Sequence, residues 1–349
     1  MDEVKVVLVT GVSGYWGGRV AQRLLAEPGL RVIGMDVEPP QEEIAGLDFI
    51  AADVRNPLLA DLLRQEGVDA VCHLAFVAGV KKSEAIFDYN VMGTMKVVGA
   101  CAETGVGKVV LKSSTMVYGA HPDNDAFLAE ESTLRGGRRY GYNRYRLEIE
   151  SFCNGFRRQA PGLALTVLRF ANVVGPTADT PMNAYLHNPV APTLLGFDPM
   201  MQVIHEDDVV EALAYALRNE TPEVCNVAAD PPLPLLRILG LAGTPPLPLA
   251  HPLVYRAVKW AGSKRVGRFV PFEPDYLRYR WVADVGRMRE EMGFIPNYVG
   301  DEAVEALGVH LRMEQYTLRA GDMAYDEERL RDTLRRRREA RPLEEGENG

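Results

Sequence analysis

The stretch KVVLVTGVSGYWGGRV, residues 5–20, decides the fold. Its first half is a continuous, β-branched apolar run, which is typical of a strand buried on both faces in a parallel sheet. Gly11 permits a tight turn after that strand, Gly14 lets the backbone approach a pyrophosphate, and Gly17 lets a helix pack closely on the sheet. The pattern therefore predicts a strand, a phosphate-binding turn and a helix whose N-terminus attracts anions.

Five further runs of the same kind follow along the chain. They are RVIGMD (31–36), FIAAD (49–53), AVCHLA (70–75), KVVLKSS (108–114) and LTVLRF (165–170). Helix-length segments, such as 84–104 and about 140–159, lie between them. This alternation predicts an α/β fold with a Rossmann-like, doubly wound parallel sheet. Ligands bind such sheets at the carboxyl ends of the strands.

Composition narrows the class of protein. The 349 residues are 47% hydrophobic and 25% charged, and the net charge of −9 argues against a general nucleic-acid binder. We expect no membrane span, and the start MDEVKVVLVTG enters a strand without a signal-peptide layout. The cysteines lie far apart, without the spacing of a metal site or a disulfide framework. These features predict a cytoplasmic protein with a small-molecule partner and no metal.

Asp36 predicts which dinucleotide binds. It ends the second strand about 20 residues beyond the glycine turn, where an acid accepts hydrogen bonds from ribose hydroxyls. A carboxylate repels a 2′-phosphate, and no arginine follows at 37 or 38. The predicted cofactor is therefore NAD. Asp53, after the third strand, fits two roles, a contact with the adenine edge or a helix cap.

Several motifs occur in the order seen in one family. Besides TGVSGYWG (10–17), they are CHLAF (72–76), NVMGT (90–94), SSTMVYG (113–119), RFANVVGP (169–176) and VIHEDDVVEAL (203–213). Over about residues 4–310 the chain resembles the extended short-chain dehydrogenase/reductase family, in its nucleotide-sugar epimerase and dehydratase branch. The resemblance implies NAD contacts from Ser13, Tyr15, Trp16, Val54, Leu74, Ala75, Phe76 and Asn90. It also implies a homodimer paired through the helices near 84–104 and 140–159.

The domain boundaries follow from this resemblance and from a change in composition. Residues 1–175 are expected to form the NAD-binding domain. Prolines crowd 176–199 and 231–252, so we expect 176–310 to be mainly a smaller substrate lobe. A helix at 206–219 and a strand near 225–228 are expected to return to the first domain. Residues 311–349 read as a charged helix and tail.

The stretch YGYNRYRLE, residues 140–148, carries the expected proton-transfer group. A tyrosine with an ordinary pKa of about 10 needs a neighbouring cation to act near neutrality. The family pattern, with its glycine after the tyrosine, maps to Tyr140 and Arg144. The alternative pair, Tyr142 and Arg146, lacks that glycine. The family serine that orients the substrate oxygen maps to Ser114, with Thr115 beside it, and Asn90 supports the proton path.

Arg144 stands where the family has lysine. An arginine keeps its charge and its hydrogen-bond donors, but its wider planar head changes the geometry toward ribose and cannot release a proton. We expect reduced activity. A non-catalytic NAD-binding regulator is the alternative from another functional class.

The substrate region departs from the family. Met200, Met201 and Gln202 occupy positions where nucleotide-sugar enzymes are basic or polar, which leaves a reductase of a more apolar ketone or aldehyde open. Asn172 fits either a contact with a substrate phosphate or hydrogen bonds within its own loop. Arg278 is a further candidate for substrate phosphate.

Overall fold

The computed structural model describes residues 4–77, 83–137, 141–253 and 273–339. The strands are β1 (Val6–Thr10), β2 (Arg31–Asp36), β3 (Asp48–Ala51), β4 (Ala70–His73), β5 (Lys108–Ser114), β6 (Ala164–Phe170), β7 (Asn172–Val174), β8 (Ala191–Leu194), β9 (Met200–Met201), β10 (Val203–His205), β11 (Val224–Val227), β12 (Leu233–Pro234) and β13 (Pro246–Leu249). The helices are α1 (Tyr15–Leu25), α2 (Leu59–Glu66), α3 (Glu84–Phe87), α4 (Gly93–Thr104), α5 (Gly141–Arg157), α6 (Pro181–Leu186), α7 (Glu206–Arg218), α8 (Leu235–Ala242), α9 (Gly286–Glu290) and α10 (Gly300–Glu339).

Within these ranges the main sheet has seven strands in the order β11-β6-β5-β4-β1-β2-β3, and every neighbouring pair is parallel. This confirms the predicted doubly wound fold. The chain reverses direction across the sheet at β1, which lies between β2 and β4. A crevice forms at such a reversal, beyond the carboxyl ends of the strands.

The pleat of the strands divides the core into two layers. Val9 and Val110 belong to a cluster that includes buried residues of α1 and α7. Leu8 and Val109 face the opposite side, in a cluster with buried residues of α2, α4 and α5. Alternate residues of a fully buried strand serve the two layers, which explains why these strands are apolar throughout.

A second core lies under the remaining elements. Met182, Tyr185, Leu235 and Tyr276 are among its buried members. Its strands form small pairs: β7 with β10, β9 with β12, and β8 with β13. The chain also returns to the main sheet, because β11 pairs with β6 and α7 packs beside α1. Over the described ranges, no helix is both long and apolar enough to cross a membrane.

Candidate active site

The glycine turn between β1 and α1 is shaped to hold a phosphate. Gly11 has a φ of 72°, and a Cβ atom there would lie 2.6 Å from the backbone nitrogen of Ala75. A Cβ atom on Gly17 would lie 2.0 Å from the carbonyl oxygen of Gly11. Gly14 is the N-cap of α1 and offers no side chain to its first-turn amides, so these donors face outward to a ligand. The turn fits the pyrophosphate of a dinucleotide.

Asp36 is held beside this turn. One carboxylate oxygen accepts a hydrogen bond from the backbone nitrogen of Ser13 at 3.0 Å, and the other accepts one from that of Val37 at 2.8 Å. The Ser13 hydroxyl donates to the carbonyl oxygen of Glu38. Each carboxylate oxygen retains a lone pair for a ribose hydroxyl. Asp36 therefore fits the adenosine end of NAD.

Tyr15 and Trp16, in the first turn of α1, have different surroundings. The Tyr15 hydroxyl donates to Glu206 at 2.6 Å and lies 2.9 Å from the Thr177 hydroxyl. Burial, with the hydrogen bond to Glu206, raises the pKa of Tyr15 to about 12. Trp16 instead lines a cavity at the end of the sheet. Tyr15 thus ties the turn to α7.

Asp53 and Val54 follow β3. The Asp53 carboxylate binds the guanidinium of Arg55 at 2.6 and 2.9 Å and accepts from the Arg55 backbone nitrogen at 2.8 Å. The hydrogen bonds from Arg55 lower the pKa of Asp53. Asp53 does not cap α2, because the N-cap of that helix is Leu58. Val54 is buried in the core. The adenine contact predicted for Asp53 and the NAD contact predicted for Val54 stay predictions.

A cavity of about 210 Å³ opens at the carboxyl ends of β4, β5 and β6, against the first turn of α1. It brings together residues predicted separately along the sequence. Those in its lining are Trp16, Leu74, Ala75, Phe76, Ser114 and Asn172. The cavity lies on the side of the glycine turn opposite Asp36, where the second half of a dinucleotide would extend.

His73 anchors the wall of the cavity at the end of β4. Its Nδ1 lies 2.7 Å from the Thr10 hydroxyl and its Nε2 lies 3.0 Å from the Thr94 hydroxyl. Because Thr94 donates to the carbonyl oxygen of Asn90 at 2.5 Å, Nε2 carries the proton and Nδ1 accepts from Thr10. Burial lowers the pKa of His73 to about 4, so it stays neutral near pH 7 and joins β1, β4 and α4.

Asn90 fixes the chain that leaves β4. Its side-chain oxygen accepts from the backbone nitrogen of Val77 at 2.8 Å, and its amide donates to the Val77 carbonyl at 2.9 Å. Asn90 is fully buried within a single π-helical turn, Asp88–Met92. Such turns occur often at functional sites. Its predicted part in a proton path stays a prediction.

Ser114 ends β5 and faces the cavity. Its Oγ accepts from the backbone nitrogen of Met116 at 3.3 Å, which starts a short 3₁₀ turn. Thr115 is only 1% exposed and does not line the cavity. The serine is therefore the hydroxyl of this pair that a ligand meets.

Of the two arginines in the tyrosine motif, Arg146 lines the cavity and Arg144 does not. The guanidinium carbon of Arg146 lies 4.9 Å from the centroid of the Phe76 ring. Tyr140 lies outside the described residues. Residue 142 belongs to α5 and precedes Arg146 by about one helical turn.

Glu150, one turn after Arg146 on α5, is a cavity residue that the sequence analysis did not select. It lines the cavity and follows Arg146 by four residues, as Glu148 follows Arg144. One carboxylate oxygen accepts from the Ser113 hydroxyl at 2.5 Å, and the other binds Arg169 at 2.6 and 2.8 Å. The spacing from an arginine was the available signal but marks Glu148 equally, and the pairing of Glu150 with the distant Arg169 is made only by the fold.

The candidates for substrate phosphate differ in position. Asn172 lines the cavity, and its amide donates to the Gln202 carbonyl at 2.9 Å. Arg278 is absent from the lining. Its guanidinium carbon lies 5.1 Å from the centroid of the Phe197 ring, and its Nη1 lies 3.1 Å from the His251 Nε2.

Lys112 is a further cavity residue that the sequence analysis did not select. A lysine inside an otherwise apolar strand, KVVLKSS, was the available signal. Its side chain reaches the cavity because residues 110 and 112 project to the α1 face of the sheet.

Residues 7–228 match the NAD dependent epimerase/dehydratase family. The chain belongs to this family and is an NAD-dependent enzyme of the epimerase/dehydratase type. Among its relatives, an uncharacterized protein of Mycobacterium tuberculosis (strain ATCC 25618 / H37Rv) is 34% identical over 315 residues, covering 86% of this chain and 82% of the relative. UDP-glucose 4-epimerase 1 of Oryza sativa subsp. japonica is 30% identical over 190 residues, covering 49% of this chain and 52% of that one.

A solved structure gives the same fold. It is UDP-glucuronic acid 4-epimerase from Bacillus cereus in complex with UDP-glucuronic acid and NAD, with a TM-score of 0.68 and 20% identity. The match covers 88% of this chain and 99% of the epimerase.

Proposed function

We propose that the protein acts on a nucleotide sugar, at a hydroxyl- or keto-bearing carbon placed in the cavity lined by Ser114 and Arg146. This proposal rests on one observation: a single cavity beside the glycine turn is lined by Trp16, Phe76, Ser114 and Arg146. The names of the relatives support the substrate class. NAD, when bound, would accept the hydride from the substrate and return it.

The proton-transfer tyrosine is proposed to be Tyr142, with Arg146 as its cation. One observation supports this pair over Tyr140 and Arg144: Arg146 and Glu150 line the cavity, whereas Arg144 and Glu148 do not. The guanidinium would favour the phenolate form of the tyrosine. Ser114 would donate to or accept from the substrate oxygen and hold it in line.

Variants of the two tyrosines and the two arginines test this assignment as matched pairs. Tyr142→Phe should lower turnover of a nucleotide sugar by about 10²–10⁴-fold, the usual contribution of a proton-transfer group, and Arg146→Gln should lower it as well. Tyr140→Phe and Arg144→Gln should retain turnover. Conversion of UDP-glucose and UDP-glucuronic acid, followed by chromatography, measures the effect. Loss of turnover in Tyr140→Phe with retention in Tyr142→Phe would restore the first pair.

Three observations favour a second candidate, a reductase of a more apolar ketone or aldehyde. The Gln202 side chain donates to the Ala283 carbonyl at 2.9 Å and accepts from the Ala283 backbone nitrogen at 2.8 Å. Met201 is buried, and Arg278 does not line the cavity. Thermal protection by UDP separates the two, because selective binding to the native state raises the melting temperature. Protection supports the nucleotide sugar, and its absence supports the apolar substrate.

The domain division, the homodimer and the cytoplasmic location stay predictions. NADH binding with no turnover of any substrate in the wild type would favour the non-catalytic regulator.

A further inference from the structure

Lys112 brings a cation into the cavity from β5, two residues before Ser114. Its Nζ lies 4.6 Å from the centroid of the Trp16 ring and 5.7 Å from that of Phe170. In the part of the chain that the structure describes, this ammonium has no hydrogen bond or ion pair. Aromatic faces attract a cation but do not neutralise it.

Lys112 adds a positive charge that no carboxylate in the described lining neutralises. The carboxylate of Glu150 lines the cavity, but an ion pair with Arg169 balances its charge. Asp179 is the other carboxylate in the described lining, and it is exposed to solvent, where water screens its charge. The charge of Lys112 therefore acts on a ligand that enters the cavity.

The nicotinamide half of a dinucleotide belongs in this cavity. Asp36 marks the adenosine side of the glycine turn, at the end of β2. The cavity lies across β1 from it, over β4 and β5. A dinucleotide with its pyrophosphate at the turn therefore extends its nicotinamide ring toward Lys112 and Arg146.

We propose that Lys112 makes the site select the reduced cofactor, because the ring of NAD+ is a cation and the ring of NADH is uncharged. This inference rests on the proposed function, since it requires a nicotinamide cofactor in the cavity. Like charges repel more strongly in a partly desolvated cavity than in water. The selection favours removal of hydride from the substrate over its return.

The preference for NADH should depend on pH through Lys112. Burial, with the charge of Arg146, lowers the pKa of Lys112 to about 7. The other charged or titratable groups on the wall are Arg146, which stays cationic, the paired Glu150, the exposed Asp179, and His73, whose pKa burial lowers to about 4. As the pH rises through 7, Lys112 loses its proton and the repulsion of NAD+ weakens.

Dissociation constants for both cofactors test the proposal without a substrate. NADH binding is followed by its fluorescence and NAD+ binding by displacement of NADH, about one pH unit below and above the pKa of Lys112. At the lower pH, Lys112→Met should tighten NAD+ binding by about tenfold and change NADH binding less than about twofold. Lys112→Arg should keep the preference for NADH at both pH values. Lys5 is an exposed lysine just before β1, and Lys5→Met should behave as wild type.

Equal changes in the affinity for the two cofactors, or no change in either, would overturn the proposal while leaving the proposed function intact. Failure of the wild type to bind either cofactor would overturn both. Should Lys112→Met fold poorly, Lys112→Arg remains decisive, because a preference in that variant that still varies with pH contradicts the role of Lys112.

Discussion

Replacing Glu150 by glutamine removes one charge from the most deeply buried ion pair beside the cavity. Glu150 and Arg169 are each 2% exposed in their side chains and meet at 2.6 Å. Arg169 also donates to the Tyr118 hydroxyl at 2.7 Å and to the Glu130 carbonyl at 2.9 Å. It is held from three sides and cannot move its charge into water. Glutamine matches glutamate in shape, so the loss of charge dominates the effect.

Removal of one partner of a buried pair typically costs 3–5 kcal/mol, because the other charge is left uncompensated. The glutamine oxygen still accepts one hydrogen bond, so we expect Glu150→Gln to lower the free energy of unfolding by about 3 kcal/mol. That is a large part of the roughly 5–15 kcal/mol of a typical native protein. Equilibrium unfolding in guanidinium chloride, followed by circular dichroism, measures the change.

Two further variants make the result specific. Glu148→Gln, on the same helix and only partly buried, should stay within about 0.5 kcal/mol of wild type. The double variant Glu150→Gln, Arg169→Met removes both charges and should be less unstable than the sum of the two single variants. A loss below about 1 kcal/mol in Glu150→Gln would refute the charge argument.

Two other predictions concern the turn and the wall of the cavity. Gly17→Ala would place a Cβ atom 2.0 Å from the Gly11 carbonyl oxygen, so NADH titration should show affinity lowered by at least about tenfold. The control variant Gly99→Ala, with no atom within 4 Å of its Cβ, should bind NADH as wild type does. Equal NADH affinity in the two variants would contradict the role of Gly17 in the turn. His73 is protonated near pH 6.5 in the unfolded chain and near 4 in the folded protein. The contribution of His73 to the free energy of unfolding is therefore fully present above pH 6.5 and should fall by about 2 kcal/mol at pH 5. His73→Gln should lack this part of the decline when denaturant unfolding is measured at both pH values. A free energy of unfolding that varies with pH in His73→Gln as it does in wild type would count against this role.

The parallel strands and the glycine turn were predictable because each rests on local rules. A β-branched run between turn residues forms a buried strand in any doubly wound sheet. The glycine at 17 is required because a side chain there would collide with the backbone of Gly11 in the same turn. The acid at 36 follows from the fixed length of the strand–helix–strand unit. These features need no long-range information.

The arginine that lines the cavity was harder to predict, because the motif offers two overlapping frames. Residues 144 and 146 are separated by about 200° around a helix, so only one of them can face the sheet. The glycine after Tyr140 favoured the first frame in the sequence, whereas the packing of α5 turns Arg146 inward. The four-residue spacing from arginine to glutamate does not separate the frames, because Glu148 follows Arg144 as Glu150 follows Arg146.

Lys112 and Arg169 show what local patterns omit. Each is a basic residue in an apolar strand, and its environment is made by helices distant in sequence. Trp16 reaches Lys112 from α1, and Glu150 reaches Arg169 from α5. Which charges are paired and which face a ligand is a property of the assembled layers.

The glycine turn and the cavity together fit NAD, and the proposed chemistry depends on that cofactor. Denaturing freshly purified protein and identifying the nucleotide it releases tests this directly. We expect NAD or NADH in a near-stoichiometric amount, without NADP. Release of no nicotinamide nucleotide, together with no binding of added NADH to the native protein, would contradict it.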